Sequence, residues 1–141
     1  MGRHLVTGAT GLIGSAIAQQ LVDAGHEVVA LVRPGTDAAD LEAIGVRLAR
    51  GDLTEPHTVR KALTGCEGAF HSAAQVGTPD QTLAVSEAVN VGGTVALLDA
   101  ARAAGVRRVV AISTSGVFDS DVTLTEHSPV HPNPPQANPR P

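Results

Sequence analysis

The stretch Leu5-Val6-Thr7-Gly8-Ala9-Thr10-Gly11-Leu12-Ile13-Gly14 decides the fold. A short apolar run gives way to three glycines spaced G-x-x-G-x-x-G, and these to a segment whose apolar residues recur at helical intervals. That order is strand, tight turn, helix. Each glycine has a separate task in such a turn. The first takes backbone angles that a tight strand-to-helix turn needs, the second lets the main chain approach a pyrophosphate, and the third lets the new helix pack on the strand it has just left. The helix start then offers unpaired N–H groups and a partial positive charge to phosphates. A glycine triplet by itself also occurs in other α/β turns; the strand before it and the helix after it point to phosphate binding.

The rest of the chain repeats the alternation. The first strand is expected at 3–7. Leu12, Ile13, Ala16, Ile17, Leu21 and Val22 fall at helical spacing over 12–24, and Gly25 is placed to close that helix. Residues 27–32 are an almost unbroken apolar run, as in a parallel strand covered on both faces. A short helix over 37–44, a strand over 46–50, a helix over 56–63 with Pro56 near its start, and a strand over 68–71 follow. Residues 78–80 suit the start of the longest helix, expected over 81–104, with Val85, Ala88, Val89, Ala96, Leu97, Leu98 and Ala101 as its apolar set. Gly92-Gly93 inside it costs on the order of 1 kcal/mol per glycine, which points to a tight packing contact there. A fifth strand over 107–114 closes on Ser113-Thr114-Ser115-Gly116. Five strands alternating with helices imply an α/β fold, a doubly wound parallel sheet with right-handed crossovers and strand order 3-2-1-4-5. After Phe118 the composition changes, and residues 127–141 carry six prolines, which excludes helix or inner strand. A single domain over 1–118 and an irregular, disordered Pro-rich tail over 119–141 are expected.

Composition narrows the function. At 141 residues the chain is long enough for a real core, with 43% hydrophobic and 17% charged residues. A formal net charge of −4 argues against a nucleic-acid or anionic-membrane binder. No unbroken apolar run approaches the roughly 18 residues of a spanning helix, and Met1-Gly2-Arg3-His4 leads straight into a strand without a signal-peptide pattern. Val6 stands where a myristoylation motif wants Ser or Thr. Cys66 is the single cysteine, so a disulfide within the chain and a cysteine-rich metal site are excluded and no metal is expected. A soluble, cytoplasmic protein is the expectation. The chain has no tyrosine, and its one lysine is Lys61.

Three positions carry specific chemistry. Arg33 ends the second strand, 25 residues after Gly8, where a carboxylate would bind an adenosine ribose 2′-hydroxyl. An arginine there suits a 2′-phosphate, or it is a solvated strand-end cation, or it stacks on adenine. Asp52, after the third strand, either accepts a bond from an adenine amino group or serves as a turn residue. Ser72, Ala73 and Ala74 are small enough at the end of the fourth strand for close approach to a cofactor. His71 beside them is expected to be structural.

With these pieces in place the chain resembles the extended short-chain dehydrogenase/reductase family, the NAD(P)-dependent epimerase/dehydratase group, over about 3–132. Thr7-Gly8-Ala9-Thr10-Gly11-Leu12-Ile13-Gly14 resembles its TGxxGxxG nucleotide motif, Gly51-Asp52-Leu53 its adenine-contacting step, and His71-Ser72-Ala73-Ala74 its HxAA step beside the cofactor. Asn90-Val91-Gly92-Gly93-Thr94 with Leu97-Leu98 resembles its NxxGT…LL helix, and Ser113-Thr114-Ser115-Gly116-Val117-Phe118 its S-[ST]-x-x-V-Y, with Phe for Tyr. The tip Val32-Arg33-Pro34 is similar to the NADP-preferring, dihydroflavonol-reductase-like branch. The resemblance implies a Rossmann-type domain binding NADP, or alternatively NAD. The cofactor would lie on Thr7, Gly8, Thr10, Gly11, Leu12, Ile13, Gly14, Arg33, Asp52, Leu53, Ser72, Ala73, Ala74, Asn90 and Ser113, with Thr114 orienting the oxygen of a carbonyl, alcohol or nucleotide-sugar substrate. It also implies a homodimer through the long helix. The family's Tyr-x-x-x-Lys acid/base pair is absent, and Lys61 comes too early to be its lysine. Three readings follow: the cofactor half of a hydride-transferring oxidoreductase, a dinucleotide-binding sensor or partner subunit without turnover, and an inactive truncated gene product.

Overall fold

The computed structural model describes residues 1–75, 82–114, 117–118 and 123–130. In chain order the elements are β1 (Arg3–Thr7), α1 (Leu12–Asp23), β2 (Glu27–Val32), α2 (Ala39–Ala43), β3 (Arg47–Arg50), α3 (Pro56–Ala62), β4 (Gly68–His71), α4 (Leu83–Glu87), a π-helical turn (Ala88–Gly92), α5 (Gly93–Ala103) and β5 (Arg108–Ala111). All strand pairs are parallel and the sheet order is β3-β2-β1-β4-β5, as expected. The chain moves from β1 toward β2 and later crosses back to β4 on the other side. The ends of β1, β2 and β4 therefore come level, with Thr7 opposite Leu31 on one side and His71 on the other. A sheet whose order reverses in this way opens a crevice at its carboxyl ends.

Neighbouring residues of β1 face opposite layers. Leu5 joins Val29, Leu31, Leu53, Val59, Leu63 and Leu97 under α3 and α5. Val6 joins Val28, Ala30, Val32, Leu41 and Val46 under α1 and α2. Across the strand starts, the Glu27 carboxylate accepts from both Arg3 and Arg47 at 2.9 Å, and Arg107 pairs with Glu67 at 2.9 Å.

Several expectations shift in detail. Asp37 does not begin α2; its carboxylate accepts the Ala39 N–H at 3.1 Å and the helix starts at Ala39. In α1 the core face is Gly14 and Ala18 with Ile17, Leu21 and Val22 packed beside them, whereas Leu12 is 90% exposed and Ile13 51%. Their place in the first turn aims them past the sheet edge. β5 ends at Ala111 rather than 114, and Val110 and Ile112 are exposed, because no further strand or helix covers β5 among the described residues. Phe118 and Val130 form an isolated antiparallel bridge. Residues 78–81, Ser115, Gly116 and the tail's last residues, 131–141, lie outside the described residues.

The long helix, Leu83–Ala103, buries Gly93, Leu97, Ala100 and Ala101, while Val85 and Leu98 stand outside. Of the glycine pair only Gly93 makes the expected tight contact. A Cβ there would lie 3.0 Å from Leu53 Cβ, whereas one at Gly92 would meet nothing within 4 Å among the described residues. By length and composition this helix could cross a membrane, contrary to the count of unbroken apolar runs. Its core stripe instead packs under the sheet. Val91, Val95 and Leu98 form an exposed apolar row at helical spacing on its outer side.

At the opposite end of the sheet from the crevice, Gly2 N–H donates to His26 Nδ1 at 3.3 Å and His4 Nε2 lies 3.1 Å from the same atom. His26 Nδ1 is therefore an acceptor, His4 donates from Nε2, and His4 Nδ1 is left buried without a partner. Burial first, and the neighbouring His26 next, hold His4 below its ordinary value of 6.5. Burial does the same to His71. The fold thus favours neutral rings, while the unfolded chain takes up protons near the ordinary value. The stability these rings contribute is complete above that value and is lost as pH falls toward their lower folded values. Thermal melts should therefore give a lower Tm at about pH 5 than at about pH 7.5; an unchanged or higher Tm at the acid end would contradict the assignment.

Candidate functional site

The turn after β1 brings three backbones together. Gly8 has φ of 70°, and a Cβ on it would sit 2.6 Å from the amide nitrogen of Ala73. A Cβ on Gly14 would collide with the Gly8 carbonyl and come within 2.7 Å of Ser72 Oγ. Gly11 differs. Its N–H donates to Gly8 O at 3.0 Å, and an added Cβ would meet that oxygen only at an ordinary 3.4 Å. Gly11 is also the N-cap of α1, with no side-chain cap and no acidic residue in the first turn. The amides of Leu12 and Ile13 open the helix with no intrahelical acceptor.

A cleft of about 250 Å³ lies over this turn at the carboxyl ends of the strands. Thr7, Gly8, Thr10 and Gly11 line it from the turn, Arg33 from the end of β2, Asp52 and Leu53 from the end of β3, and Ser72, Ala73 and Ala74 from the end of β4. These residues, far apart in sequence, were all singled out by pattern. Leu12, Ile13 and Gly14 do not line the cleft: the first two point their side chains to solvent and Gly14 is buried under the turn. Ser113 and Thr114 lie past the end of β5, exposed and away from the lining. The cleft also takes in Val32 and Gly51, which belong to the motifs quoted above, and Leu31, Thr36, Gln75 and Val89, which were not among the expected site residues. For Leu31 and Val32 the signal was present, since they are the last residues of a parallel strand at the crevice side.

Polar groups hold the walls. Asp52 is a turn residue: its Oδ1 accepts from Thr54 N–H at 2.8 Å and from the Thr54 hydroxyl at 2.7 Å. Arg50 donates to Thr36 O at 2.7 Å, bracing the turn that carries Arg33, whose own side chain is exposed. Ser72 Oγ donates to Thr7 O at 2.9 Å. His71, 6% exposed, lies between Thr7 Oγ1 at 2.7 Å and Thr94 Oγ1 at 2.9 Å. Asn90 also has a different place from the one expected. Its amide accepts from Gln75 N–H at 2.6 Å and donates to Gln75 O at 2.9 Å, so it clamps the wall from behind instead of lining the cleft. The π-helical turn puts Asn90 opposite Gln75, and π turns of this kind occur often at functional sites. Among the described residues no group of three or more His, Cys, Asp or Glu side chains could hold a metal ion.

Comparison with known proteins agrees with this geometry. The family model for the NAD dependent epimerase/dehydratase family matches residues 4–138. UDP-glucose 4-epimerase of Streptomyces lividans is 40% identical over 144 residues, covering 95% of this chain and 43% of the relative. Sterol demethylase protein B of Methylococcus capsulatus is 40% identical over 130 residues, covering 91% of this chain and 40% of the relative. Among solved structures, the Bordetella bronchiseptica enzyme WbmG in complex with NAD and UDP superposes with a TM-score of 0.81 at 27% identity, over 93% of this chain and 44% of that one. The chain spans less than half the length of each of these relatives.

The glycine geometry makes a direct prediction about stability. Gly14→Ala should destabilise the fold by about 3 kcal/mol or more, because both colliding groups are backbone or a hydrogen-bonded side chain. Gly11→Ala should stay within about 0.5 kcal/mol of the unaltered chain. Urea denaturation of the two variants checks this, and equal losses would contradict the separate roles.

Proposed function

The chain belongs to the NAD dependent epimerase/dehydratase family, and we propose that its cleft binds NADP in preference to NAD as the cofactor half of a hydride-transferring oxidoreductase. The observation that carries the reading is Gly11: nothing among the described residues requires a glycine there, yet a side chain would stand at the uncapped start of α1. That combination fits a pyrophosphate seated on the Leu12 and Ile13 amides. Oδ1 of Asp52 is taken by Thr54, which leaves Oδ2 for an adenine amino group. Arg33, on the turn that Arg50 braces, supplies a cation for a 2′-phosphate. Leu53, Ser72, Ala73 and Ala74 pack against the nucleoside halves. The bound dinucleotide would supply a hydride acceptor or donor at its nicotinamide.

The substrate class we infer is a carbonyl or alcohol compound or a nucleotide sugar, the latter supported by the epimerase relative and by the UDP held by WbmG. Thr114, and Ser113 beside it, would orient the substrate oxygen once further residues complete the site. With no tyrosine in the chain, the family's acid/base group is not among these residues. That absence favours a second reading, a dinucleotide binder without turnover by itself. The row Val91, Val95 and Leu98 suits a homodimer contact.

Titration with NADPH and NADH, followed by cofactor fluorescence, tests the reading. NADPH should bind more tightly, Arg33→Asp should weaken NADPH by about tenfold or more while sparing NADH, and Gly11→Ala should lose affinity for both. Binding of neither dinucleotide at high micromolar concentration would refute the function, and an unmoved preference in Arg33→Asp would refute the 2′-phosphate contact. For the dimer, sedimentation velocity of Val95→Glu should show loss of a dimer boundary; a monomer before and after substitution would dismiss it.

A further inference from the structure

The interior chain of hydrogen bonds through His71 has only one consistent set of protons. The Thr94 hydroxyl lies 2.6 Å from Asn90 O, a carbonyl that can only accept, so Thr94 donates there. Thr94 Oγ1 must then accept from His71, which places the ring proton on Nε2. His71 Nδ1 is left as an acceptor for the Thr7 hydroxyl at 2.7 Å. Thr7 Oγ1, having donated, accepts the Ala73 N–H at 3.4 Å. At the far end, the Asn90 whose carbonyl takes the Thr94 proton also clamps both backbone groups of Gln75. The wall from Ser72 to Gln75 is thus held at Ala73 through Thr7 and at Gln75 through Asn90, and His71 joins the two holds.

We propose that His71 is a positioning residue for the cleft: neutral and protonated on Nε2, it pins the Ser72–Gln75 wall from β1 and from the long helix at once, and dinucleotide affinity falls when it takes up a proton. This rests on the dinucleotide reading of the cleft. A proton on Nδ1 would turn that atom into a donor facing Thr7. The Thr7 hydroxyl would have to rotate away and accept from Nδ1 as well as from Ala73 N–H, which leaves its own proton to find another acceptor. Thr7 O gives the displaced proton no room, since it already accepts from Ser72 N–H and Ser72 Oγ. The ring's hydrogen-bond partners are Thr7 from β1 and Thr94 from α5, and the residue's own backbone pairs with Ala111 and Ile112. None of these is ionisable, and no charged side chain among the described residues perturbs the ring; burial alone favours its neutral form.

The test uses the full chain and two readouts. Ring 15N shifts of His71 should report Nε2–H and unprotonated Nδ1 at neutral pH; the opposite tautomer overturns the proposal, whatever the cofactor result. NADH is the binding probe, because it lacks the 2′-phosphate that itself titrates at about pH 6. Its affinity should weaken on acidification with the midpoint of the His71 ring titration. Thr94→Val should weaken NADH by about tenfold and Thr94→Ser should restore it. Affinity that stays flat while the ring titrates, or a folded Thr94→Val that binds as the unaltered chain does, overturns the relay. Should Thr94→Val fail to fold, the midpoint comparison on the unaltered chain still decides. Failure of the unaltered chain to bind either dinucleotide at any pH sinks the underlying reading and this one with it, whereas binding without the pH response sinks only the relay.

Discussion

The backbone of Gly8 lies so close to Gly14 on one side and to Ser72–Ala73 on the other that no side chain fits between them. This contact joins the end of β1, the first turns of α1 and the end of β4. It needs a positive φ at Gly8 and bare Cα atoms at two positions six residues apart. Once it forms, the start of α1 is aimed over the sheet, the β4 exit is drawn against the turn, and the crevice between diverging crossovers becomes a cleft with a floor. The parallel register that levels Thr7, Leu31 and His71 carries the same constraint across the sheet.

Around that contact the polar interior is small and fully directed. Thr7, His71, Thr94 and Asn90 link three elements through short hydrogen bonds, and each donor has one acceptor. The apolar layers on either side are filled mainly by Leu, Val and Ala from the strands, α3 and α5. Where the layers stop, they stop abruptly: Val110 on β5, Ile112 just after it and the row Val91, Val95, Leu98 on the long helix remain exposed. That exposure accords with a chain spanning less than half the length of relatives such as the Streptomyces epimerase.

Much of this was legible in the sequence. The strand order followed from the alternation of apolar runs and the early glycine turn, and ten residues chosen by pattern meet in the cleft. The departures have local causes. Periodicity put Leu12 and Ile13 on the core face because it weighs apolarity, not the position of a first turn beyond the sheet edge. It treated Gly92 and Gly93 alike, although only Gly93 faces Leu53. Asn90 was assigned to the ligand because nothing in its neighbours reveals the π-helical turn that points its amide at Gln75. Thr36, Gln75 and Val89 reach the cleft through turn and helix geometry that spacing does not encode. Ser113 and Thr114 are not in its lining because β5 ends at Ala111, short of both.

A crystal structure of the chain with NADPH bound would show whether the glycine contact presents the start of α1 to a pyrophosphate. The pyrophosphate oxygens should lie within hydrogen-bonding distance of the Leu12 and Ile13 amides, passing over the bare Cα of Gly11, with the 2′-phosphate at Arg33. A dinucleotide seated elsewhere, or a pyrophosphate that leaves the α1 amides to water, would contradict it.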